Sequence, residues 1–242
     1  MTIQNFETRL VEEQKYDFQR KIAPTMVNHS EIKKVFSLLE QDHQLTMLED
    51  LRDYTAFHQL IATLLSSRTR DTTTIPLVKK LFQQYPAPED FIALDTKVLQ
   101  KELYGIGFYR VKAKQVKEVS KIIVEKYHGK VPETFAELTS LPGVGRKTAN
   151  CVLAYAFHQP AIAVDVHVHR ISNRLGWVKT TTPEETEEAL KKLVPRELWI
   201  WVNKLFVNHG QRICLSRNPK CLVCPVRKYC EYGKKRVNKQ FL

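Results

Sequence analysis

Four of the five cysteines in this 242-residue chain, Cys214, Cys221, Cys224 and Cys230, fall in one short stretch with the spacing C-x6-C-x2-C-x5-C. Four thiolates closing compact, irregular loops are the donor set of either a tetrahedral zinc or a cubane iron–sulfur cluster. Zinc ribbons use two C-x2-C pairs far apart, and only one such pair exists here, which tilts the reading toward [4Fe-4S]. Four chance cysteines in a tail are the weaker alternative at this density. Cys151 stands apart in the apolar run TANCVLAYAF, where a free cysteine behaves as a small hydrophobe.

A second stretch with chemical content is LPGVGRKTAN at 141–150. A phosphate-holding P-loop has the form G-x-x-x-x-G-K-[ST] and would need glycines at 141 and 146 ahead of Lys147. Leu141 and Arg146 occupy those positions, so that reading fails. What remains is a Gly143-Val-Gly145 turn between two short helices. Such a turn presents backbone N–H groups to an anion with no side chain in the way. Lys147 is left either to hold a phosphate or to attack something.

The elements that must position these residues are helical. In SEIKKVFSLLEQ at 30–41, Ile32, Val35, Phe36 and Leu39 recur at spacings of three and four behind a Ser30 cap. In VKAKQVKEVSKIIVEKY at 111–127, Val116, Val119, Ile123 and Tyr127 form the apolar side, and Lys112, Lys114, Lys117 and Lys121 are assigned to the wet side. Thr134 to Glu137 and Thr182 to Glu185 have the S/T-x-x-E capping form, the second with proline at the first helical position. The helix at 148–157 is apolar nearly all round and is expected to be buried. No period-two runs joined by Asn-Gly or Asp-Gly turns occur, so the expected fold class is all-α. Residues 1–29 are polar and weakly patterned and read as an N-terminal extension.

Lys and Arg number 38 against 26 Asp and Glu, a formal net charge of +12, which points to a polyanionic partner such as DNA or RNA rather than a small neutral ligand. No apolar run reaches the ~18 residues of a membrane span, and MTIQNFETRLVEEQ lacks the apolar core of a signal peptide. Clustered rather than scattered cysteines argue against a disulfide framework. The expected location is the cytoplasm with the nucleoid in a prokaryote, or the nucleus in a eukaryote.

LPGVGRKTAN, the downstream VDVHVHR and the C-x6-C-x2-C-x5-C tail, in this order, resemble the endonuclease III family of helix-hairpin-helix DNA glycosylases, over about 30–232. The resemblance implies a two-domain fold, with a six-helix barrel domain at 49–159 containing the hairpin and a [4Fe-4S] cluster domain built from 30–48 and 160–242. It implies base-excision repair of oxidised pyrimidines by a bifunctional glycosylase and AP lyase. Lys147 is then the nucleophile, Asp165 its partner, and the four cysteines the cluster ligands.

That assignment has physical sense. A lysine in the first turn of a helix feels the positive end of the dipole, which disfavours its ammonium form and frees the amine to attack. Asp165, in the otherwise apolar AIAVDV, is suited to stabilise positive charge developing at the sugar C1′. The plainer roles are a phosphate-contacting surface lysine and a helix N-cap.

Arg68 and Phe108 fall where the family inserts a polar residue and an apolar wedge into the duplex, with Arg68 in place of the usual glutamine. Gly143, Gly145 and Arg146 are expected at the DNA backbone. Ser66, Asp71 and His167 match pocket positions for the flipped base, His167 having a satisfied core histidine as its alternative. Tyr109, Arg110 and Lys112 are further candidates for backbone contact. The expected partner is double-stranded DNA with damaged bases or abasic sites, bound by a monomer with no membrane involved. Two other readings compete: a uracil or thymine mismatch glycosylase, and a non-catalytic iron–sulfur DNA-binding protein.

Overall fold

The computed structural model describes residues 27–238; the expected extension at 1–29 lies outside them up to residue 26. Among the described residues every regular element is helical and no strand occurs. In chain order these are α1 (His29–Glu40), α2 (Met47–Asp50), α3 (Ala56–Ser66), α4 (Asp71–Gln84), α5 (Pro88–Ala93), α6 (Thr96–Glu102), α7 (Tyr109–Tyr127), α8 (Phe135–Ser140) and α9 (Arg146–Tyr155). There follow α10 (Val166–Leu175), α11 (Pro183–Leu193), α12 (Trp199–Arg212) and α13 (Glu231–Asn238), with short 3-10 turns around the cysteines. None of the described helices is long and apolar enough to cross a membrane.

The chain divides into two compact units, Leu45–Ala163 and a second made of residues up to Gln44 together with those from Val164 onward. The family resemblance implies breaks at 48/49 and 159/160. The first break lies earlier because α2 packs with the helices on its C-terminal side: Met47 and Leu48 are buried, and Asp50 pairs with Lys79 of α4 at 2.6 Å.

In the Leu45–Ala163 unit α3 is the centre. Every residue from Phe57 to Leu65 is buried, and α4, α7 and α9 pack against it. Burial of each large apolar side chain is worth about 1.5–3 kcal/mol, and α9 contributes a second such face from Thr148 to Tyr155, Cys151 included. Two polar residues inside α3 bond locally, Thr63 donating to Gln59 O at 2.7 Å and Gln59 Nε2 to Tyr54 O at 3.1 Å.

In the other unit Ile32, Val35, Phe36 and Leu39 of α1 are buried as their spacing requires, and the rings of Phe36, Trp177 and Phe206 meet at 5.5 to 5.9 Å. The cap of α1 is Asn28, not Ser30: Asn28 Oδ1 accepts from Glu31 N at 2.8 Å. Asparagine and serine cap about equally well, and the apolar stripe is served by either start. The capping box at Thr182 forms as the sequence predicts, and at Thr134 the hydroxyl accepts from Glu137 N at 3.3 Å and donates to the Glu137 carboxylate at 2.5 Å.

Lys112 corrects the reading of α7. It is 4% exposed, not on the wet side, and the reason is periodic: 112, 116, 119 and 123 follow the i, i+4, i+7, i+11 course of one face. Lys117 also turns inward, donating to Ile92 O and Leu94 O at the end of α5. Lys114 and Lys121 are exposed as expected.

Candidate functional site

The hairpin turn joins α8 to α9. Leu141 and Val144 are buried and anchor it. Gly143 has φ +77°, which favours glycine, and a Cβ there would lie 2.6 Å from the end of the Gln115 side chain of α7, which would have to move aside. Gly145, at φ −90°, is the N-cap of α9 and carries no side-chain cap. No atom would lie within 4 Å of a Cβ at Gly145, which leaves the N-terminal end of α9 open to an approaching anion. Lys147 is the second residue of α9 and is half-buried. Arg146 is exposed and stacks on Phe135, 5.1 Å from the ring centroid.

A second group in the same unit lies where two loops meet. Arg68 and Phe108 both sit in the left-handed region, with φ +53° and +60°, at an expected cost of order 1–3 kcal/mol each. They are far apart in sequence, yet the Arg68 guanidinium lies over the Phe108 ring at 5.6 Å. Phe108 is 61% exposed. Gly107 N donates to Thr69 Oγ1 at 3.0 Å, and a Cβ on Gly107 would fall 2.7 Å from Arg68 O. Beneath them the Lys112 ammonium donates to Leu65 O at 2.8 Å, Ser67 O at 2.5 Å and Thr69 Oγ1 at 3.5 Å. Burial pushes its pKa down to about 8.

Lys112 is thus an internal brace and not the surface DNA contact that its charge suggested. Arg110 is exposed and stacks on Tyr109 at 5.3 Å. Ser66, half-buried at the end of α3, donates to Thr63 O at 2.9 Å, and Asp71 opens α4. These two candidates flank the Arg68 turn in the chain.

Asp165 and His167 belong to the other unit, at the start of α10. Asp165 Oδ1 accepts from His167 N at 2.8 Å and Val168 N at 2.9 Å, so the N-cap role is real. The His167 ring packs on α12, where a Cβ on Gly210 would meet Nδ1 at 2.5 Å. Arg170 Nη2 approaches the same Nδ1 at 2.9 Å. A guanidinium only donates, so Nδ1 is the bare nitrogen and Nε2 carries the proton of the neutral ring. His169 Nδ1 meets Thr186 Oγ1 at 2.6 Å, a structural contact.

The four cysteines line one pocket in this unit, walled by Ile171, Leu175, Ile213 and Val226. Burial pushes the Cys224 thiol up to about 12, and the charges of the other three thiols push the same way. Cys230 moves up for the same leading reason. Donors converge on the sulfurs: Arg174 Nη1 reaches Cys214 Sγ at 3.3 Å and Gly233 N reaches Cys230 Sγ at 3.3 Å. Arg170 also ties down Cys214 O, from Nε at 3.1 Å and Nη2 at 2.8 Å. Such a pocket resists bare thiolates, whereas a bound cationic centre supplies the charge that holds four of them. Among the described residues no three His, Cys, Asp or Glu side chains stand at the spacing of a single metal ion.

Sequence reasoning misassigned Lys112 and missed Thr69 and Gly107 at the loop junction and Arg170 and Arg174 at the cysteines. For Lys112 the helical period was a usable signal. For Arg170 and Arg174 the i, i+4 repeat on α10 was present, but nothing local says what it faces.

The profile of the HhH-GPD superfamily base excision DNA repair protein family matches residues 61–196. Endonuclease III of Thermotoga maritima is 53% identical over 180 residues, covering 74% of this chain and 84% of that protein. The solved structure of a trapped endonuclease III–DNA covalent intermediate in an estranged-adenine complex is 35% identical with a TM-score of 0.78, covering 88% of this chain and 100% of that one. A thermostable thymine-DNA glycosylase is 26% identical with a TM-score of 0.73, covering 84% and 95%.

Proposed function

This chain belongs to the endonuclease III family within the HhH-GPD superfamily of base excision DNA repair proteins, and on that footing we propose a DNA glycosylase that removes oxidised pyrimidines and then cuts the strand as an AP lyase. The observation that carries the reading is Lys147 at the open N-terminal turn of α9, in a chain similar to an enzyme trapped covalently on DNA.

In this mechanism the Gly143 to Gly145 turn holds a backbone phosphate through its N–H groups while the damaged nucleotide leaves the stack. Arg68 and Phe108 fill the vacated space, and Ser66, Asp71 and His167 contact the extruded base. The neutral Lys147 amine attacks C1′. The base departs with the electron pair of the C1′–N bond and a proton, and Asp165 stabilises the positive charge on the sugar as that bond breaks. The amine loses a proton, the ring opens, and an imine links Lys147 to C1′. Removal of a C2′ proton then expels the 3′ phosphate by β-elimination, and water releases Lys147 from the imine.

Cys214, Cys221, Cys224 and Cys230 are proposed to hold a [4Fe-4S] cluster, consistent with their pocket and its N–H···S donors. When bound, the cluster ties the loops of 214–230 into one unit and presents their basic residues. The partner is duplex DNA carrying damaged bases or abasic sites, bound by a monomer.

Incubating the protein with an abasic-site duplex and borohydride tests the nucleophile. Trapping and strand cleavage are expected for the native chain and neither for Lys147→Gln, with duplex affinity retained. Full cleavage and trapping by Lys147→Gln would end the proposal. A thymine- or uracil-mismatch glycosylase is the second reading, favoured only by the thermostable thymine-DNA glycosylase match. A panel of single-lesion duplexes, with and without alkali, separates the two.

A further inference from the structure

Lys112 is a cation 4% exposed in the first turn of α7, four residues after Phe108. The ammonium has three hydrogens, and the three acceptors around it, Leu65 O, Ser67 O and Thr69 Oγ1, all belong to the end of α3 and the turn that carries Arg68. Carbonyls at a helix C-terminus have no partner inside their own helix, and a cation is favoured at that negative end of the dipole. Lys112 therefore closes α3 where the chain must turn into the left-handed conformation of Arg68.

A second tie runs between the same loops, from Gly107 N to Thr69 Oγ1. The missing Cβ of Gly107 allows Arg68 O to approach. Two loops that meet only through folding are thus fastened on both sides of the point where Arg68 stacks on Phe108.

We propose that Lys112 is a positioning residue for duplex opening: it fastens the Arg68 turn to the Phe108 turn, so that the stacked pair meets DNA as one preassembled wedge. The proposal rests on the reading that Arg68 and Phe108 enter the duplex. Assembling the wedge before contact removes an ordering cost that would otherwise fall on the binding step.

The test uses Lys112→Met, which keeps an unbranched chain of similar length but cannot bond the carbonyls. Three properties are read: the melting temperature, the emission of a 2-aminopurine placed opposite an abasic site in a duplex, and borohydride trapping on abasic duplex against abasic single strand. Loss of duplex trapping by roughly a hundredfold is expected, the scale of a misplaced positioning group, together with loss of the 2-aminopurine signal. Trapping on the single strand, which needs no opening, should be unchanged. A merely structural lysine would lower both substrates together.

Native-like opening in folded Lys112→Met, or parallel loss on both substrates, overturns the proposal. Should Lys112→Met fail to fold, Thr69→Val breaks the same junction at a half-exposed position. It should show the same duplex-selective defect, and unchanged opening there overturns the proposal. Arg68→Ala and Phe108→Ala separate the premise: if neither impairs opening, the wedge reading has failed and the proposal falls with it. If they impair opening and the junction variants do not, the Lys112 inference alone has failed.

Discussion

At Asp165 one side chain has two assignments that a substitution can pull apart. Its Oδ1 accepts two backbone N–H groups at the start of α10, and asparagine caps a helix about as well as aspartate. Asp165→Asn should therefore melt like the native protein yet lose most of its base-excision rate, because the amide carries no charge to stabilise the sugar. Asp165→Ala should lose the rate and also about 0.5–2 kcal/mol of stability through the cap. Thermal melts alongside single-turnover cleavage check both, and undiminished excision by Asp165→Asn would reduce this residue to a cap. The place of Lys147 at a helix start was legible at this scale because its context, two glycines and the first turn of α9, lies in the adjacent residues. The partners of Lys112 were not, because its three acceptors lie more than 40 residues away in sequence.

The hairpin element depends on Gly143, whose φ of +77° strains any residue with a Cβ. Gly143→Ala should displace the turn and weaken binding to damaged and undamaged duplex alike, since a phosphate contact positions without reading sequence. Filter or fluorescence titration on both duplexes measures this, and a defect confined to damaged DNA would argue against a backbone clamp. Helices and caps such as those of α8 and α11 could be read from the chain because periodicity and S/T-x-x-E patterns are local. The cap of α1 slipped from Ser30 to Asn28 because two residues of nearly equal capping strength stand two positions apart.

For the whole molecule, a net charge of +12 and a pocket of four cysteines are properties of different kinds. The charge predicts a polyanionic partner without locating its footprint. The pocket supports a specific expectation: purified protein should absorb at about 400 nm and carry iron and sulfide, as a cluster does, and Cys224→Ser should lose most of that absorbance. A colourless native protein containing one zinc would replace the cluster with a mononuclear site.

Helix class, the hairpin turn and the cysteine spacing were readable from the chain, because each is encoded within a few neighbouring positions. Folding added the encounters between distant segments. Arg68 came to rest on Phe108 and Lys112 beneath both, while Arg174 reached Cys214 from α10. For Lys112 the meeting arises because a buried polar group must find partners as apolar faces close, and no local pattern names the partner in advance.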